Sequence, residues 1–373
     1  MGSKILAALI SLFRYWYFSV YVRLKHIDNS DVWLLSERGV DARDNGFSFY
    51  SYLKKVHPEI KIKYVISKTS PDRKKIQKAD IIGFKSKEHY ILFLTAGKLI
   101  STHIMGYSPN MSLFRRLDER GLLRLSGKRI FLQHGITKDA IPMFKRQKSL
   151  DLFVCGAEPE YKFLLDYTEF GKNIVKYLGF ARYDTIKNNP KNQILVMPTF
   201  RRGLKSSRNF RKSEFCQRWS EFLSDPELKE YLKIAQKTLI FYPHHEFQKN
   251  LAFFKSFRDE NIVIADEKNY DVQKLISESE LLVTDYSSVA FDFAYLKKPV
   301  IYYQFDYENY RKTHYKEGYF SYEEDGFGPV VYSARGVIEL FKKAPDQMYS
   351  DRAARFFVKN DRKNCERLYE AIK

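Results

Sequence analysis

The stretch Leu282–Phe293, LVTDYSSVAFDF, decides the fold. An apolar strand, Leu281–Val283, leads into a polar turn, and a helix follows from Val289 with its apolar residues spaced for one face. The turn contains Asp285 and two serines, at the point where the free N–H groups and positive dipole of a helix N-terminus can bind phosphate. An ordinary helix N-cap explains the same residues. Other strand-end motifs are therefore needed to decide between the two interpretations.

The composition limits which classes of protein this chain can belong to. The chain has 373 residues, of which 44% are hydrophobic and 16% aromatic, enough for two domains of ordinary size and too apolar for a disordered chain. The net charge of +19 predicts anionic partners: phosphorylated metabolites, an acidic lipid surface or nucleic acid. The three widely spaced cysteines, Cys155, Cys216 and Cys365, match no metal or disulfide spacing, which predicts a reducing compartment.

The N-terminal segment Ile5–Val22 is mostly apolar and aromatic. Arg14 in its middle is unfavourable for a spanning helix, and no small-residue cleavage site of a secretory signal follows. Tyr15 and Trp16 suit the lipid headgroup layer, and neighbouring basic residues favour an anionic leaflet. We therefore expect residues 1–25 to form a membrane-associating helix that lies in or on the cytoplasmic leaflet. A helix packed on the protein's own core and a transmembrane anchor are the alternatives.

Short apolar runs, rich in β-branched and aromatic residues, alternate with helical patterns along the chain. This alternation predicts parallel sheets covered by helices on both faces, and ten strands suggest two Rossmann-like halves rather than one sheet. The predicted strands are Val32–Leu35, Ile62–Ile66, Leu99–Thr102, Arg129–Leu132, Leu152–Cys155, Ile194–Met197, Leu239–Tyr242, Ile262–Ile264, Leu281–Val283 and Val300–Tyr303.

A polar stretch that contains Asn189-Pro190 precedes the sixth of these strands and marks a domain boundary. The chain is therefore expected to contain a first Rossmann-like domain at 26–183 and a second at 184–345. A basic helical tail follows at 346–373, and it could cross back to the first domain.

In open parallel sheets ligands bind at the carboxyl ends of strands, so the residues that follow each apolar run are candidates. Gln133-His134-Gly135 follows the fourth run, and His134 is a plausible general base because imidazole accepts a proton near neutral pH. A half-buried histidine bonded to a carbonyl is the structural alternative.

Two further strand ends carry basic groups. Pro198-Thr199-Phe200-Arg201 opens a region with six basic residues, and an arginine there can hold phosphate through forked hydrogen bonds. A solvated basic loop without a ligand explains the same charges. Pro243-His244-His245 suggests a phosphate contact from His244; a metal site would need further ligands at suitable spacing, and none is obvious. The six basic residues are Arg201, Arg202, Lys205, Arg208, Arg211 and Lys212.

Taken together, these motifs resemble the CDP-glycerol glycerophosphotransferase family, the teichoic acid primases and polymerases. The similarity runs from about Val32 to Val331, and five motifs occur in the family's order. They are Gln133-His134-Gly135, Pro198-Thr199-Phe200-Arg201, Pro243-His244-His245, Thr284-Asp285-Tyr286-Ser287-Ser288 with Phe291-Asp292-Phe293, and the segment from Asp306 to Pro329. The early block Ser36-Glu37-Arg38 with Asp44-Asn45-Gly46 also looks like the family's first strand-end loop.

The resemblance implies a GT-B-like fold with the active site in an interdomain cleft. It implies transfer of a polyol phosphate, glycerol phosphate above all, from a CDP-linked donor to a lipid-linked or polymer acceptor in teichoic acid or capsular polymer synthesis, with release of CMP. His134 would be the catalytic base and His244 would neutralise the donor diphosphate. The predicted donor-binding residues are Arg201, Asp285, Ser287, Ser288, Asp306 and Arg311.

The implied enzyme works at the cytoplasmic face of the membrane and needs no cofactor; Mg²⁺ would assist only by screening the diphosphate, and no dedicated site is seen. A GT-B glycosyltransferase that uses a nucleotide sugar is the main alternative. A basic nucleic-acid or lipid-binding protein is a second, although no nucleic-acid-binding signature occurs in the sequence. The sequence does not decide between a glycerol and a ribitol donor, or between a primase and a polymerase, and it leaves the oligomeric state open.

Overall fold

The computed structural model describes residues 2–147, 149–204 and 207–373. The chain forms two compact units. Unit 1 contains Met1–Ile136, Pro142–Thr185 and Asp361–Lys373, and unit 2 contains Thr137–Ile141 and Ile186–Asn360. This division differs from the predicted 26–183, 184–345 and 346–373 in two ways: a short segment at 137–141 joins unit 2, and the tail is shared, with 361–373 belonging to unit 1.

All ten predicted strands are present, and further short strands complete the sheets. In chain order the strands are β1 Asn29–Ser36, β2 Lys61–Ile66, β3 Ile81–Gly83, β4 Ala96–Ser101, β5 Lys128–Phe131, β6 Asp139–Ala140, β7 Leu152–Cys155, β8 Val175–Tyr177, β9 Gln193–Met197, β10 Thr238–Phe241, β11 Ile262–Ile264, β12 Leu281–Thr284, β13 Val300–Tyr303, β14 Lys316–Glu317 and β15 Val330–Val331.

Helices fill most of the connections between these strands. They are α1 Gly2–Leu24, α2 Asn45–Val56, α3 Lys87–Thr95, α4 Met111–Glu119, α5 Pro142–Arg146, α6 Glu158–Tyr167, α7 Ser207–Arg211, α8 Glu214–Ser224, α9 Pro226–Ile234, α10 Leu251–Phe254, α11 Val272–Glu278, α12 Val289–Tyr295, α13 Tyr307–Thr313, α14 Ala334–Phe341, α15 Gln347–Phe356 and α16 Asn364–Ile372.

Unit 1 is built on a parallel sheet with the strand order β3-β2-β1-β4-β5-β7-β8. Its central strands are buried on both faces: Leu34, Leu35, Leu99 and Ile100 have no exposed surface. Burial of each such side chain contributes roughly 1.5–3 kcal/mol. The order reverses between β1 and β4, and loops that follow these strands meet where an open sheet of this kind binds ligands.

Unit 2 repeats this architecture in the order β11-β10-β9-β12-β13-β15, with all pairs parallel. Here the order reverses between β9 and β12, so the loops that begin at Pro198 and Asp285 lie side by side. One face of the sheet packs on a core around Trp219, which is fully buried on α8. The strands β6 and β14 form a separate antiparallel pair.

Helix α1 has two different faces. On one, the Phe18 ring packs on Tyr90 with centroids 5.5 Å apart, and the Tyr15 ring packs on Phe114 at 5.3 Å. Arg14, in the middle of the helix, is exposed, and its Nη1 donates to the carbonyl of Lys85 in unit 1 at 3.2 Å. The other face exposes large apolar side chains: Ile5, Leu6, Leu9, Ile10, Leu12, Phe13, Trp16, Tyr17, Val20 and Leu24.

Segment Ile5–Leu24 also has the length and composition of a membrane span, with a mean hydropathy of 1.5. The helix is thus anchored to unit 1 along one face and leaves an uncovered apolar face along the other.

Candidate functional site

The first candidate site lies at the carboxyl ends of β1, β4 and β5 in unit 1. The loop after β1 carries Glu37 and Asp44, the loop after β4 carries His103, and the loop after β5 carries His134. The His103 and His134 rings stack face to face, with centroids 4.6 Å apart and planes 9° from parallel. Two imidazoles and several carboxylates therefore meet at the point where the strand order reverses.

His134 is exposed to solvent, as a base that must meet a substrate hydroxyl has to be. Desolvation by surrounding atoms lowers its pKa, as do the positive charges of Arg182 and Arg38, whereas Asp44 and the carbonyl of Thr102 raise it. The net direction is downward, which keeps the imidazole neutral and able to accept a proton at neutral pH.

A network of hydrogen bonds fixes the loop that carries His134. Asn45 Nδ2 donates to the carbonyl of Gln133 at 2.8 Å, and Arg182 Nη1 donates to the carbonyl of His134 at 3.1 Å. Arg182 is itself held, because its N–H donates to Asn45 Oδ1 at 3.1 Å and its Nη1 donates to Asp44 Oδ1 at 2.9 Å. These contacts hold the histidine in place through its own backbone.

Gln133 adopts a left-handed backbone conformation with φ of +56°, which for a residue other than glycine stores strain of order 1–3 kcal/mol. Its side chain offsets this strain: Nε2 donates to the carbonyl of Val154 at 2.8 Å and to Glu160 Oε1 at 3.0 Å. Glu160 is fully buried, and its other oxygen accepts from the N–H of Gly156 at 2.7 Å. The turn that presents His134 is therefore held from β7 as well.

Glu37 is the buried centre of the β1 loop. Its carboxylate accepts from the N–H groups of Arg43, Asp44 and Phe47 at 2.9–3.0 Å. Burial, and after it the charges of Asp44 and Asp41, raise the pKa of Glu37 to about 8. A Cβ at Gly46 would lie 2.9 Å from Glu37 Cγ, so glycine permits the helix α2 to begin this close to the carboxyl group.

The second candidate site lies at the carboxyl ends of β9, β12 and β13 in unit 2, and it is organised around Arg201. The guanidinium donates to Asp306 through Nε at 2.7 Å and Nη2 at 2.9 Å, to Asp285 through Nη2 at 2.8 Å, and to the carbonyl of Thr199 through Nη1 at 2.7 Å. It lies 4.9 Å above the ring of Tyr286. Although burial opposes its charge, Asp285 and Asp306 raise the pKa of Arg201.

The structure thus brings together three predicted donor-binding residues, Arg201, Asp285 and Asp306, and pairs them with one another. Arg201 is only 6% exposed and most of its N–H groups are used, so this geometry indicates a scaffold that holds three strand-end loops together, those after β9, β12 and β13. Direct contact of these residues with a donor stays a prediction.

Ser287 and Ser288 follow Asp285 at the start of α12 and are half-buried. Ser287 Oγ accepts from the N–H of Val289 at 3.3 Å. Helix α12 begins at Val289, as the sequence predicts. The two hydroxyls remain at the edge of the Arg201 cluster, in reach of solvent, and are suited to donate to an anion.

His244 ends the loop after β10 and is half-buried beside Phe200, with ring centroids 4.8 Å apart. The N–H of Glu246 donates to His244 Nδ1 at 3.2 Å. Because Nδ1 acts as an acceptor, the neutral ring carries its proton on Nε2. Such a ring has its N–H donor at Nε2.

Arg311, the remaining predicted donor residue, lies on α13 and pairs with the segment at 137–141. Its Nη1 donates to Asp139 Oδ1 at 2.6 Å, and Lys138 Nζ donates to Asp139 Oδ2 at 2.6 Å. Burial lowers the pKa of Lys138, although Asp139 acts in the opposite direction. A Cβ at Gly318 would lie 2.4 Å from the carbonyl of Lys138, so this segment packs closely on the loop after α13.

Several residues of the two sites escape the sequence prediction. His103 could have been found, because it follows a predicted strand just as His134 does. Arg182 could not, since it comes from a short 3-10 helix and reaches His134 only through tertiary structure. Lys205 lies outside the described residues, as do the side chains of Arg208 and His245.

Within the described residues, no group of three or more His, Cys, Asp or Glu side chains is placed to hold a metal ion. The three cysteines are free and buried. Whether Mg²⁺ assists the reaction stays a prediction.

Comparison with known proteins identifies a matching family and similar proteins of that family. The family model of CDP-Glycerol:Poly(glycerophosphate) glycerophosphotransferase matches residues 16–152 and 166–373. The minor teichoic acid biosynthesis protein GgaB of Bacillus subtilis (strain 168) is 32% identical over 364 residues, which are 91% of this chain and 39% of that protein. A teichoic acid poly(glycerol phosphate) polymerase of Staphylococcus epidermidis is 22% identical over 350 residues, 86% of this chain and 46% of the polymerase. The chain thus spans less than half the length of these two relatives.

Among solved structures, the wall teichoic acid polymerase TagF superposes with a TM-score of 0.71 at 18% identity, over 100% of this chain and 96% of that one. A UDP-bound MnaA of S. aureus superposes with a TM-score of 0.54 at 10% identity, over 92% of this chain and 95% of that one. At these identities the likeness concerns the fold, and it confirms the predicted GT-B-like architecture of two Rossmann-like domains.

Proposed function

Because the chain belongs to the CDP-glycerol:poly(glycerophosphate) glycerophosphotransferase family, we propose that it transfers glycerol phosphate from CDP-glycerol to a hydroxyl group of a lipid-linked or polymer acceptor, with release of CMP. The observation that carries this proposal is the exposed His134, held by its own backbone at the strand-order reversal of unit 1 and kept neutral by its surroundings. An acceptor hydroxyl needs such a base.

The reaction is a phosphoryl-type transfer. The acceptor oxygen attacks the β-phosphorus of the donor, which bears the glycerol, and forms a new phosphodiester bond. The bond from this phosphorus to the bridging oxygen breaks, and that oxygen leaves with CMP. His134 takes the proton from the acceptor hydroxyl, so atoms and charge balance, and donors near the phosphates stabilise the charge that develops on the leaving group.

On the donor side, the hydroxyls of Ser287 and Ser288 and the Nε2–H of His244 supply hydrogen bonds to phosphate oxygens. The tautomer of His244 supports this role, since its Nδ1 already accepts from the N–H of Glu246. Arg201 supports these groups indirectly: it holds the loops after β9, β12 and β13 together through Asp285 and Asp306. We propose no direct contact between Arg201 and the donor.

The uncovered face of α1 supports attachment to the cytoplasmic surface of the membrane. Phe13 is 63% exposed and Trp16 62% exposed, and both belong to a continuous apolar face. The Arg14 guanidinium, although exposed, is bonded to the carbonyl of Lys85 in unit 1. A helix of this kind lies in the headgroup layer and places the enzyme beside a lipid-linked acceptor.

A donor panel tests the proposed function. The purified chain is incubated with CDP-glycerol, CDP-ribitol or a UDP-linked sugar, with a lipid-linked acceptor on vesicles, and the released nucleotide is identified by chromatography. Release of CMP from CDP-glycerol, in proportion to glycerol phosphate gained by the acceptor, supports the proposal. Release of UDP from the sugar donor, with CDP-glycerol left intact, would establish a glycosyltransferase instead.

A further inference from the structure

The carboxylate of Asp44 links two parts of the first site. Its Oδ1 accepts from the N–H of Asn45 at 2.8 Å, as the N-cap of α2, and from Arg182 Nη1 at 2.9 Å. The same Arg182 nitrogen donates to the carbonyl of His134 at 3.1 Å. One carboxylate thus connects the start of α2, a buried arginine and the backbone of the predicted general base. Arg182 is 4% exposed, whereas the Asp44 side chain is 22% exposed, so the arginine is the buried part of this connection.

Helix capping alone does not explain a carboxylate at this position. Serine or asparagine caps a helix about as well as aspartate does. The negative charge is moreover unfavourable locally, because Asp44 is one of the charges that raise the pKa of the buried Glu37. A neutral cap would avoid that repulsion. The charge therefore has a use that the cap does not provide.

One such use is the ion pair with the buried Arg182 at 2.9 Å, and His134 supplies a second. When its ring accepts a proton it becomes an imidazolium in a setting that disfavours positive charge, with Arg182 and Arg38 nearby. On the β4 side, the His103 ring stacks on His134 and the Thr102 carbonyl raises its pKa. Asp44 is the carboxylate that acts on His134 in the direction opposite to the two arginines.

We propose that Asp44 is a positioning residue for His134: its carboxylate balances the charge that the imidazole gains, and through Arg182 it fixes the loop that carries the ring. This inference rests on the proposed function, in which His134 is the base. It assigns Asp44 a role beyond capping α2, and it makes Arg182 the mechanical link between the two residues.

Titration of His134 by NMR tests the charge independently of turnover. The full chain is labelled with ¹³C in its eight histidines, and the His134 signal is assigned by its loss in a His134→Gln variant. Asp44→Asn keeps the size and capping oxygen but removes the charge, so we expect the pKa of His134 to fall below its wild-type value. Asp44→Glu should keep it near that value. Asp31→Asn is the matched control, because it removes the same charge from an exposed residue near the other end of β1.

Activity gives a second readout. For Asp44→Asn we expect kcat to fall at least about tenfold at neutral pH, which corresponds to about 1.4 kcal/mol, with KM for CDP-glycerol little changed. The acidic limb of the pH profile should move to lower pH. Thermal unfolding of each variant shows that it is folded, and Asp44→Ser, another good N-cap, replaces Asp44→Asn should the latter unfold.

The two readouts separate the possible failures. An unchanged pKa of His134 in folded Asp44→Asn would overturn the inference, whatever happens to activity. A lowered pKa together with no CMP release by the wild-type chain would support the inference about charge and count against the proposed function.

Discussion

Replacement of Arg201 by methionine should destabilise unit 2 severely. The guanidinium makes four hydrogen bonds of 2.7–2.9 Å, two of them to Asp306 and one to Asp285. The side chains of these aspartates are 4% and 0% exposed. Methionine would fill similar space but leave two carboxylates buried without their counter-charge. Breaking a buried pair in this way costs about 3–5 kcal/mol.

For a unit of this size, that loss corresponds to a fall in Tm of roughly 6–20 °C. Thermal unfolding followed by circular dichroism measures the fall, and hydrogen–deuterium exchange of peptides from β9 and β12 shows which unit has been destabilised. Arg202→Met is the matched control: the residue is adjacent and exposed, and its loss should cost less than about 1 kcal/mol. Arg201→Lys retains the charge but not the fork, so it should fall between the two.

A loss below about 1 kcal/mol in Arg201→Met would refute the scaffold role. A raised KM for CDP-glycerol with unchanged stability would instead show that Arg201 binds the donor directly, as the sequence alone predicts.

Three further predictions concern other parts of the molecule. The fold raises the pKa of Glu37 from 4.5 to about 8. The stability that its protonated form provides should therefore be complete below about pH 4.5 and lost as the pH rises through 8. Urea unfolding between pH 5 and 9 measures this dependence of stability on pH, and Glu37→Gln should remove it. The double variant Ser287→Ala, Ser288→Ala should weaken CDP-glycerol binding about tenfold or more, the scale of hydrogen bonds to a charged group. Calorimetry that finds wild-type affinity would show that these hydroxyls do not bind the donor. Trp16→Ser should reduce cosedimentation with anionic vesicles without lowering Tm, whereas equal binding would remove the exposed face of α1 from membrane attachment.

The sequence predicted the central strands well because their signal is local. Runs such as Val300–Tyr303 are short, apolar and β-branched or aromatic, and they are buried on both faces in the fold. The strands missed are two or three residues long and lie at sheet edges, as β3 and β15 do, or form the separate β6–β14 pair. Half-buried edge strands of that length have no periodicity to detect.

The candidate sites were predictable only in part, for a similar reason. The rule that ligands bind at strand ends identified His134, Arg201, Asp285 and the serines that follow it. It did not show that the N–H groups of Arg201 would be bonded to Asp285 and Asp306, because these three residues come from three different loops. It also passed over Arg182, whose role depends on contacts across the fold. Residue type indicated the chemistry, and tertiary structure decided which groups remain available for it.

The most direct test of the central claim is release of CMP from CDP-glycerol in the presence of a lipid-linked acceptor, compared between wild type, His134→Ala and His26→Asn. His26 is an exposed histidine with a positive φ, which asparagine tolerates, so its replacement controls for loss of an imidazole. The account predicts that His134→Ala loses at least about 100-fold in rate, the scale of a general base, while His26→Asn keeps the wild-type rate. Equal rates in all three proteins would contradict it.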